Sequence, residues 1–306
     1  MVNELLKVKN ISKSFGNKVV LNNLSLNINK GDIVALIGPN GSGKTTLIRT
    51  ILNLYNEDSG SITILSKDVR KNFEEIGPFI GLMIEESGVY ELLTAEEYLA
   101  FILGLISNCS KNEIKEKIAE VLKKVNLYDK RNDKIKTFSK GMIQRLAFAR
   151  AIINKPALLI LDEPFDGIDI EAKIQLLNII KQEKEQMGIL ITSHNLKELE
   201  DICTRIAIIK HGEILLDDTT EVIRNRNNLY SKLKLQFDTI YSEEDIKKIL
   251  GVGNYNPTDN LFEISIGNKK EKERILEKLQ NSKLKLIDLC EEKVSLEQLY
   301  LNIINK

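Results

Sequence analysis

The sequence predicts an α/β protein in which a buried, largely parallel sheet carries a phosphate-binding loop. A β-rich opening precedes it, a helical insert interrupts it and a small α+β appendage follows. Three observations predict this. Apolar runs of strand length, Ile33-Val34-Ala35-Leu36-Ile37, Ala157-Leu158-Leu159-Ile160-Leu161 and Gly188-Ile189-Leu190-Ile191-Thr192, recur with helical segments between them, as in strands buried on both faces. The segment Gly38-Pro39-Asn40-Gly41-Ser42-Gly43-Lys44-Thr45 satisfies G-x-x-x-x-G-K-[ST] where that pattern has meaning, between a strand and a helix. Two capping boxes, Thr94-Ala95-Glu96-Glu97 and Ser110-Lys111-Asn112-Glu113, each open a run of helical apolar spacing.

Taken in order, the residues to about Leu26 alternate enough for two or three strands, with Gly16-Asn17 as a turn. Ile33 to Ile37 leads into the phosphate loop, and Thr46-Leu47-Ile48-Arg49-Thr50-Ile51-Leu52 continues with helical spacing. The helical insert covers about residues 92–153. The strand at 157–161 is followed by a helix over roughly Ile170 to Gln186, the strand at 188–192, the strand Arg205 to Lys210, the turn His211-Gly212 and another short strand. The run Arg224-Asn225-Arg226-Asn227-Asn228 is too hydrophilic for a core. It separates a nucleotide-binding domain of residues 1–222 from an accessory domain of residues 229–306. The latter reads as strand (Leu233 to Phe237), helix capped at Ser242, strand (Leu261 to Ile266), helix (about Lys270 to Leu279), strand (Leu284 to Leu289) and a last helix capped by Ser295-Leu296-Glu297-Gln298. Its mixed charges, as in Lys269-Lys270-Glu271-Lys272-Glu273-Arg274, read as a solvated helix face.

Composition narrows the function classes. With 306 residues, 42% hydrophobic and 29% charged, the chain can bury two ordinary cores. No apolar stretch approaches the roughly 20 residues that cross a bilayer, and the start lacks a basic-then-apolar leader, so a cytoplasmic location is expected. Lys plus Arg equals Asp plus Glu at 44 each, which leaves no excess positive charge for a phosphate backbone, and nucleic acid is not expected as a partner. Cys109, Cys203 and Cys290 are widely separated without metal or redox spacing, and read as reduced packing residues.

The site chemistry begins with the loop, whose glycines let backbone N–H groups approach phosphate. Lys44 reaches the outer phosphates and the Thr45 hydroxyl is the expected magnesium ligand. Asp162 and Glu163 follow a buried strand at its carboxyl end, where open α/β sheets place their ligands. The first suits Mg2+, directly or through water, and the second can polarise the water that attacks the terminal phosphate of ATP. His194 follows the next apolar strand in the same way, placing it at the same sheet edge as a γ-phosphate contact that also orients the glutamate.

Phe138-Ser139-Lys140-Gly141-Met142-Ile143-Gln144-Arg145, a short helix and then Leu158-Leu159-Ile160-Leu161-Asp162-Glu163-Pro164 resemble the signature motif and Walker B strand of ATP-binding cassette (ABC) ATPases, a branch of the P-loop NTPases. The resemblance covers residues 1 to about 220. It implies that Phe15 stacks on adenine, that Gly38 to Thr45 with Thr46 hold the phosphates, and that the loop at Glu85, the loop ending in Asp169 and the His194 switch complete the site. It implies further that two nucleotide-binding domains, identical or different, face head to tail, with Ser139 and Gly141 of one closing on ATP held by the other. ATP binding would close that pair and hydrolysis open it, and the helical insert would contact integral-membrane permease subunits.

Glu85 stands where most such cassettes carry glutamine, and counts here among the catalytic residues as the link between nucleotide and transport partner. With Ser139-Lys140-Gly141-Met142 and a length near 300, it resembles the ATPases of bacitracin-resistance and lantibiotic-immunity exporters. The function implied is the ATPase subunit of a bacterial ABC transporter that exports a peptide antibiotic or clears it from the membrane, peripheral to the inner face of the cell membrane. A cassette serving another cargo (ion, drug or lipid) stays open as an alternative. A non-transport ABC ATPase fits less well, because the chain has one cassette, no coiled-coil insertion and neutral charge. A silent binding module conflicts with intact Lys44, Asp162, Glu163 and His194.

Overall fold

The computed structural model describes residues 4–84, 88–107, 109–226, 232–266, 269–292 and 300. They fall into two compact units, Met1–Asp218 and Thr219–Lys306. In chain order the first contains β1 (Glu4–Phe15), β2 (Lys18–Asn29), β3 (Ile33–Ile37), α1 (Lys44–Ile51), β4 (Ser59–Ile64), β5 (Lys67–Asp68), α2 (Val69–Ile76) and β6 (Ile80–Met83). The helices α3 (Ala95–Ile106), α4 (Lys111–Lys124) and α5 (Lys140–Ile152) form the insert. The chain then returns through β7 (Leu158–Asp162), α6 (Ile170–Glu183), β8 (Gly188–Ser193), β9 (Arg205–Lys210) and β10 (Glu213–Thr219).

Among the described residues these strands make two sheets. One has the order β2-β1-β4-β5 and pairs antiparallel, its first two strands turning at Gly16-Asn17. The other has the order β10-β9-β3-β8-β7-β6, with parallel pairing from β9 through β6. Strands β3, β7 and β8 are buried at every position, which is why they read as apolar runs up to the polar carboxyl ends of β7 and β8. One core joins the sheets: Leu6, Val8, Leu24 and Ile62 from the first and Val34, Leu36, Ile160 and Leu190 from the second meet Leu47, Ile48 and Ile51 of α1. Both expected capping boxes form, Thr94 with Glu97 and Ser110 with Glu113, each side chain bonding the other residue's backbone N–H.

The second unit contains α7 (Thr220–Arg226), β11 (Lys232–Phe237), α8 (Glu243–Leu250), β12 (Asn254–Asn256), β13 (Leu261–Ser265), α9 (Lys269–Gln280) and β14 (Leu286–Glu292). Its antiparallel sheet has the order β12-β13-β11-β14, around a core of Leu233, Leu235, Phe237, Ile246, Phe262 and Ile264. Ser242 stands at the N-cap of α8 but its side chain makes no capping bond. The unit boundary precedes the polar run of residues 224–228, and residues 220–226 are helical. The helix expected after Ser295 lies outside the described residues.

Candidate active site

Parallel pairing brings three carboxyl ends to one edge. Ile37 of β3 stands opposite Ser193 of β8, and Asp162 of β7 opposite Thr192, so the loop after β3, the acidic end of β7 and His194 emerge side by side. The loop then turns into α1 at Gly43, whose φ of 112° is reserved for glycine; a Cβ there would also lie 2.9 Å from Leu21 Cδ2. The last two residues of the phosphate-loop pattern therefore belong to the first turn of α1, which directs the free N–H groups of the helix start into the loop.

Lys44 is buried, and its ammonium donates to Gly38 O at 2.7 Å and Pro39 O at 3.5 Å. Glu163 Oε1 lies 3.6 Å from the same nitrogen, and Glu163 Oε2 lies 3.0 Å from His194 Nδ1. The glutamate reaches both because its own backbone is left-handed, φ 47°, which swings the chain out of strand geometry directly after Asp162. An unfavourable backbone conformation of this kind persists where surrounding structure enforces it, commonly at sites of chemistry.

Thr192 does the enforcing. It is completely buried in β8; its hydroxyl donates to Asp162 Oδ1 at 2.5 Å and accepts from the Glu163 N–H at 3.0 Å. One side chain thus aims the first carboxylate and anchors the backbone of the second. Sequence reasoning passed over it, although a hydroxyl residue closing the apolar run Gly188-Ile189-Leu190-Ile191 just before His194 is the signal that could have found it.

Residues 40–46, Phe15, Val20, Glu163, Asp166, His194 and His211 line a cavity of about 620 Å³. Phe15, 46% exposed, lines the cavity with its ring edge-on to Tyr55 at 5.2 Å. Thr45 and Thr46 open into the cavity, whereas Asp162 is buried beside Thr192. Gly38 and Pro39 do not line the cavity but accept the Lys44 ammonium. The Ser42 hydroxyl is buried in the loop without a hydrogen-bond partner, an unmet polar group that a phosphate oxygen would satisfy. Among the described residues no cluster of three or more His, Cys, Asp or Glu side chains could hold a metal ion alone. The donors present, the Thr45 hydroxyl and the Asp162 carboxylate, fit magnesium, which binds through one or two carboxylates together with substrate phosphates.

Ser139 and Gly141 are not brought to this cavity. Ser139 caps α5, accepting from the Met142 N–H at 3.3 Å, and is exposed; Gly141 is buried next to Ala172 and Asp169 at the start of α6. Asp169 caps α6, accepting from the Ala172 N–H at 2.8 Å. Glu85 lies outside the described residues.

A family model described as ABC transporter matches residues 21–166. The linearmycin resistance ATP-binding protein LnrL of Bacillus subtilis (strain 168) is 33% identical over 306 residues, covering 98% of each chain. The bacitracin transport ATP-binding protein BcrA of Bacillus licheniformis is 36% identical over 234 residues, 76% of this chain and 75% of its own. An ATP-binding cassette solved as a dimer in a post-hydrolysis state with ADP and Pi superposes with a TM-score of 0.64 at 27% identity, covering 70% of this chain and 98% of that one. Matched from end to end by a resistance ATP-binding protein and over most of its length by a cassette holding the products of ATP hydrolysis, the chain belongs to the ABC transporter family, as an ATP-hydrolysing subunit.

Proposed function

We propose that this subunit powers a permease that removes a peptide antibiotic of the lantibiotic or bacitracin type from the cell membrane, with Glu163 as the general base for ATP hydrolysis. The observation that carries the catalytic part is the placement of Glu163 between Lys44, at 3.6 Å, and His194, at 3.0 Å. In this reading the loop N–H groups, Lys44 and Thr46 hold the phosphates and Phe15 stacks on adenine. Water attacks the γ-phosphorus, the bond to the bridging oxygen breaks, and ADP leaves while Glu163 takes the proton. His194 holds the carboxylate through Nδ1 and meets the γ-phosphate. Thr45 and Asp162 would hold Mg2+, which would supply positive charge against the phosphates.

The separation of Ser139 and Gly141 from the cavity supports a site completed by a second cassette, since each chain carries the two halves on different surfaces. Residues 1–222 act as the cassette and residues 229–306 as an accessory domain. Apolar side chains exposed on and before α3, among them Tyr90, Leu92, Phe101 and Leu105, offer the permease a docking face, and so hold the subunit at the inner surface of the membrane. Among the described residues no helix is long and apolar enough to cross it. The names of LnrL and BcrA support an antibiotic as cargo.

Glu163→Gln tests the catalytic role. It is expected to bind ATP, to lose about 10²- to 10⁴-fold in turnover, and to elute as a dimer with ATP and magnesium. A variant hydrolysing ATP at about half the normal rate would refute the assignment. The cargo is tested by expressing the chain with its cognate permease in a susceptible bacterium; absence of protection against any bacitracin- or lantibiotic-type peptide would overturn that part alone.

A further inference from the structure

The chain has two histidines, and both line the same cavity. His194 is engaged by Glu163, whereas among the described residues the His211 imidazole has no hydrogen-bond or ion-pair partner in the protein. His211 opens the two-residue turn between β9 and β10 with φ 51°, and Gly212 follows with φ 80°. Such turns, with both central residues left-handed, favour Asn-Gly or Asp-Gly; histidine is tolerated there rather than preferred.

The turn is tied down on two sides. Gly212 N–H donates to Ser42 O in the phosphate loop at 2.9 Å, and Asn22 N–H of β2 donates to Gly212 O at 3.0 Å. Asn22 Nδ2 also donates to Glu213 Oε1 at 2.5 Å. Gly212 approaches so closely that a side chain would run into the Val20 carbonyl. The His211-Gly212 turn is therefore held, through Gly212, against Val20 and Ser42, both of which line the cavity, Ser42 in the loop that receives the phosphates. An imidazole that lines the cavity beside this loop is within reach of a nucleotide whose phosphates the loop holds.

We infer that His211 is a further nucleotide-binding residue, hydrogen-bonding the ribose–α-phosphate end of the bound nucleotide. The inference rests on the cavity being the nucleotide site. Because that end is common to ATP and ADP, the contact contributes equally to both and not to the chemical step. This separates His211 from Lys44, Glu163 and His194, which serve the far phosphates.

Isothermal titration of the full chain with ATP and with ADP, each with magnesium, tests this on His211→Gly and His211→Asn. Glycine adopts the turn without strain, so the fold survives while the imidazole is lost. His211→Gly is expected to weaken both nucleotides about 3- to 10-fold, the usual net worth of one hydrogen bond. His211→Asn, which keeps a donor and suits the turn, recovers part of the affinity. Unchanged affinity in His211→Gly overturns the proposal, including where its melting temperature falls, because the residue would then serve only the turn. Weakening of ATP alone also overturns it, by placing the contact at the γ-phosphate. Failure of the wild-type chain to bind ATP would instead refute the nucleotide reading of the cavity.

Discussion

Replacing Thr192 by valine removes one buried hydroxyl and leaves the shape of β8 unchanged. Two bonds disappear: the 2.5 Å donation to the Asp162 carboxylate and the 3.0 Å acceptance from the Glu163 N–H. A hydrogen bond to a charged group contributes about 1.5–3 kcal/mol and a neutral one about 0.5–1.5 kcal/mol, so the loss is about 2–4.5 kcal/mol. For a unit of this size each kcal/mol moves the midpoint by about 2–4 °C, which sets the expected fall in Tm at roughly 5–15 °C. Turnover suffers separately, because the Asp162 carboxylate loses its orientation and the left-handed Glu163 loses its anchor. Small misplacements of reacting groups cost up to about 10²-fold, and a 10- to 100-fold fall in kcat is expected. Differential scanning calorimetry and steady-state phosphate release measure the two, with Thr192→Ser as the control that keeps the hydroxyl and stays near wild type. A Thr192→Val protein melting within about 2 °C of wild type and turning over within about twofold would refute the reasoning from these two bonds.

Lys44→Ala removes the buried ammonium that faces the phosphate loop and is expected to abolish tight ATP binding, read by fluorescence titration; near wild-type affinity would contradict its role. Glu85→Ala is expected to lower protection against a bacitracin- or lantibiotic-type peptide while the purified chain still binds ATP. Glu85→Gln, which keeps the side-chain length and one acceptor, is expected to be milder, and a resistance assay in which Glu85→Ala matches wild type would remove the coupling role. The carboxyl of Glu97 is held below the usual carboxylate range, chiefly by the backbone N–H of Thr94 and then by Lys134. Its folded value is depressed, so its stabilisation is present above the ordinary carboxylate value and disappears as pH falls through the lowered one. Glu97→Gln keeps the reciprocal cap without the charge and is expected to flatten that acid decline in Tm; an unchanged acid limb would show that the cap is not its source.

What the sequence disclosed, and what it hid, follows from where the information sits. Strands β3, β7 and β8 announced themselves because burial on both faces favours continuous apolar runs, broken only at the carboxyl ends of β7 and β8 by Asp162, Thr192 and Ser193, and the phosphate loop because only glycine fits Gly43. The two capping boxes were legible because their bonds span three residues. By contrast, β12 is three residues of Asn254-Tyr255-Asn256 that become a strand through pairing with β13, a partner no local pattern names. Thr192 looked like an ordinary β-former until strand register set it opposite Asp162. His211 read as turn punctuation, since only the return of a hairpin between β2 and the loop after β3 makes it a cavity wall.

The pairing of β3 also constrains how the protein is made. Ile33 stands beside Ile189, and Val34 beside Arg205, so the strand carrying the phosphate loop waits for partners emerging from the ribosome roughly 150 residues later. At 5–20 residues per second this is an interval of about 8–30 s in which an entirely apolar five-residue strand lacks the neighbours that later bury it. Helix α1 and the antiparallel sheet of β1, β2 and β4 are translated early and can shield one face, but both backbone edges of β3 stay unpaired until β8 and β9 are synthesised. Nascent chains stalled before residue 188 should therefore be the ones that engage chaperones, and ribosome pausing in that window should harm yield more than pausing within the accessory domain.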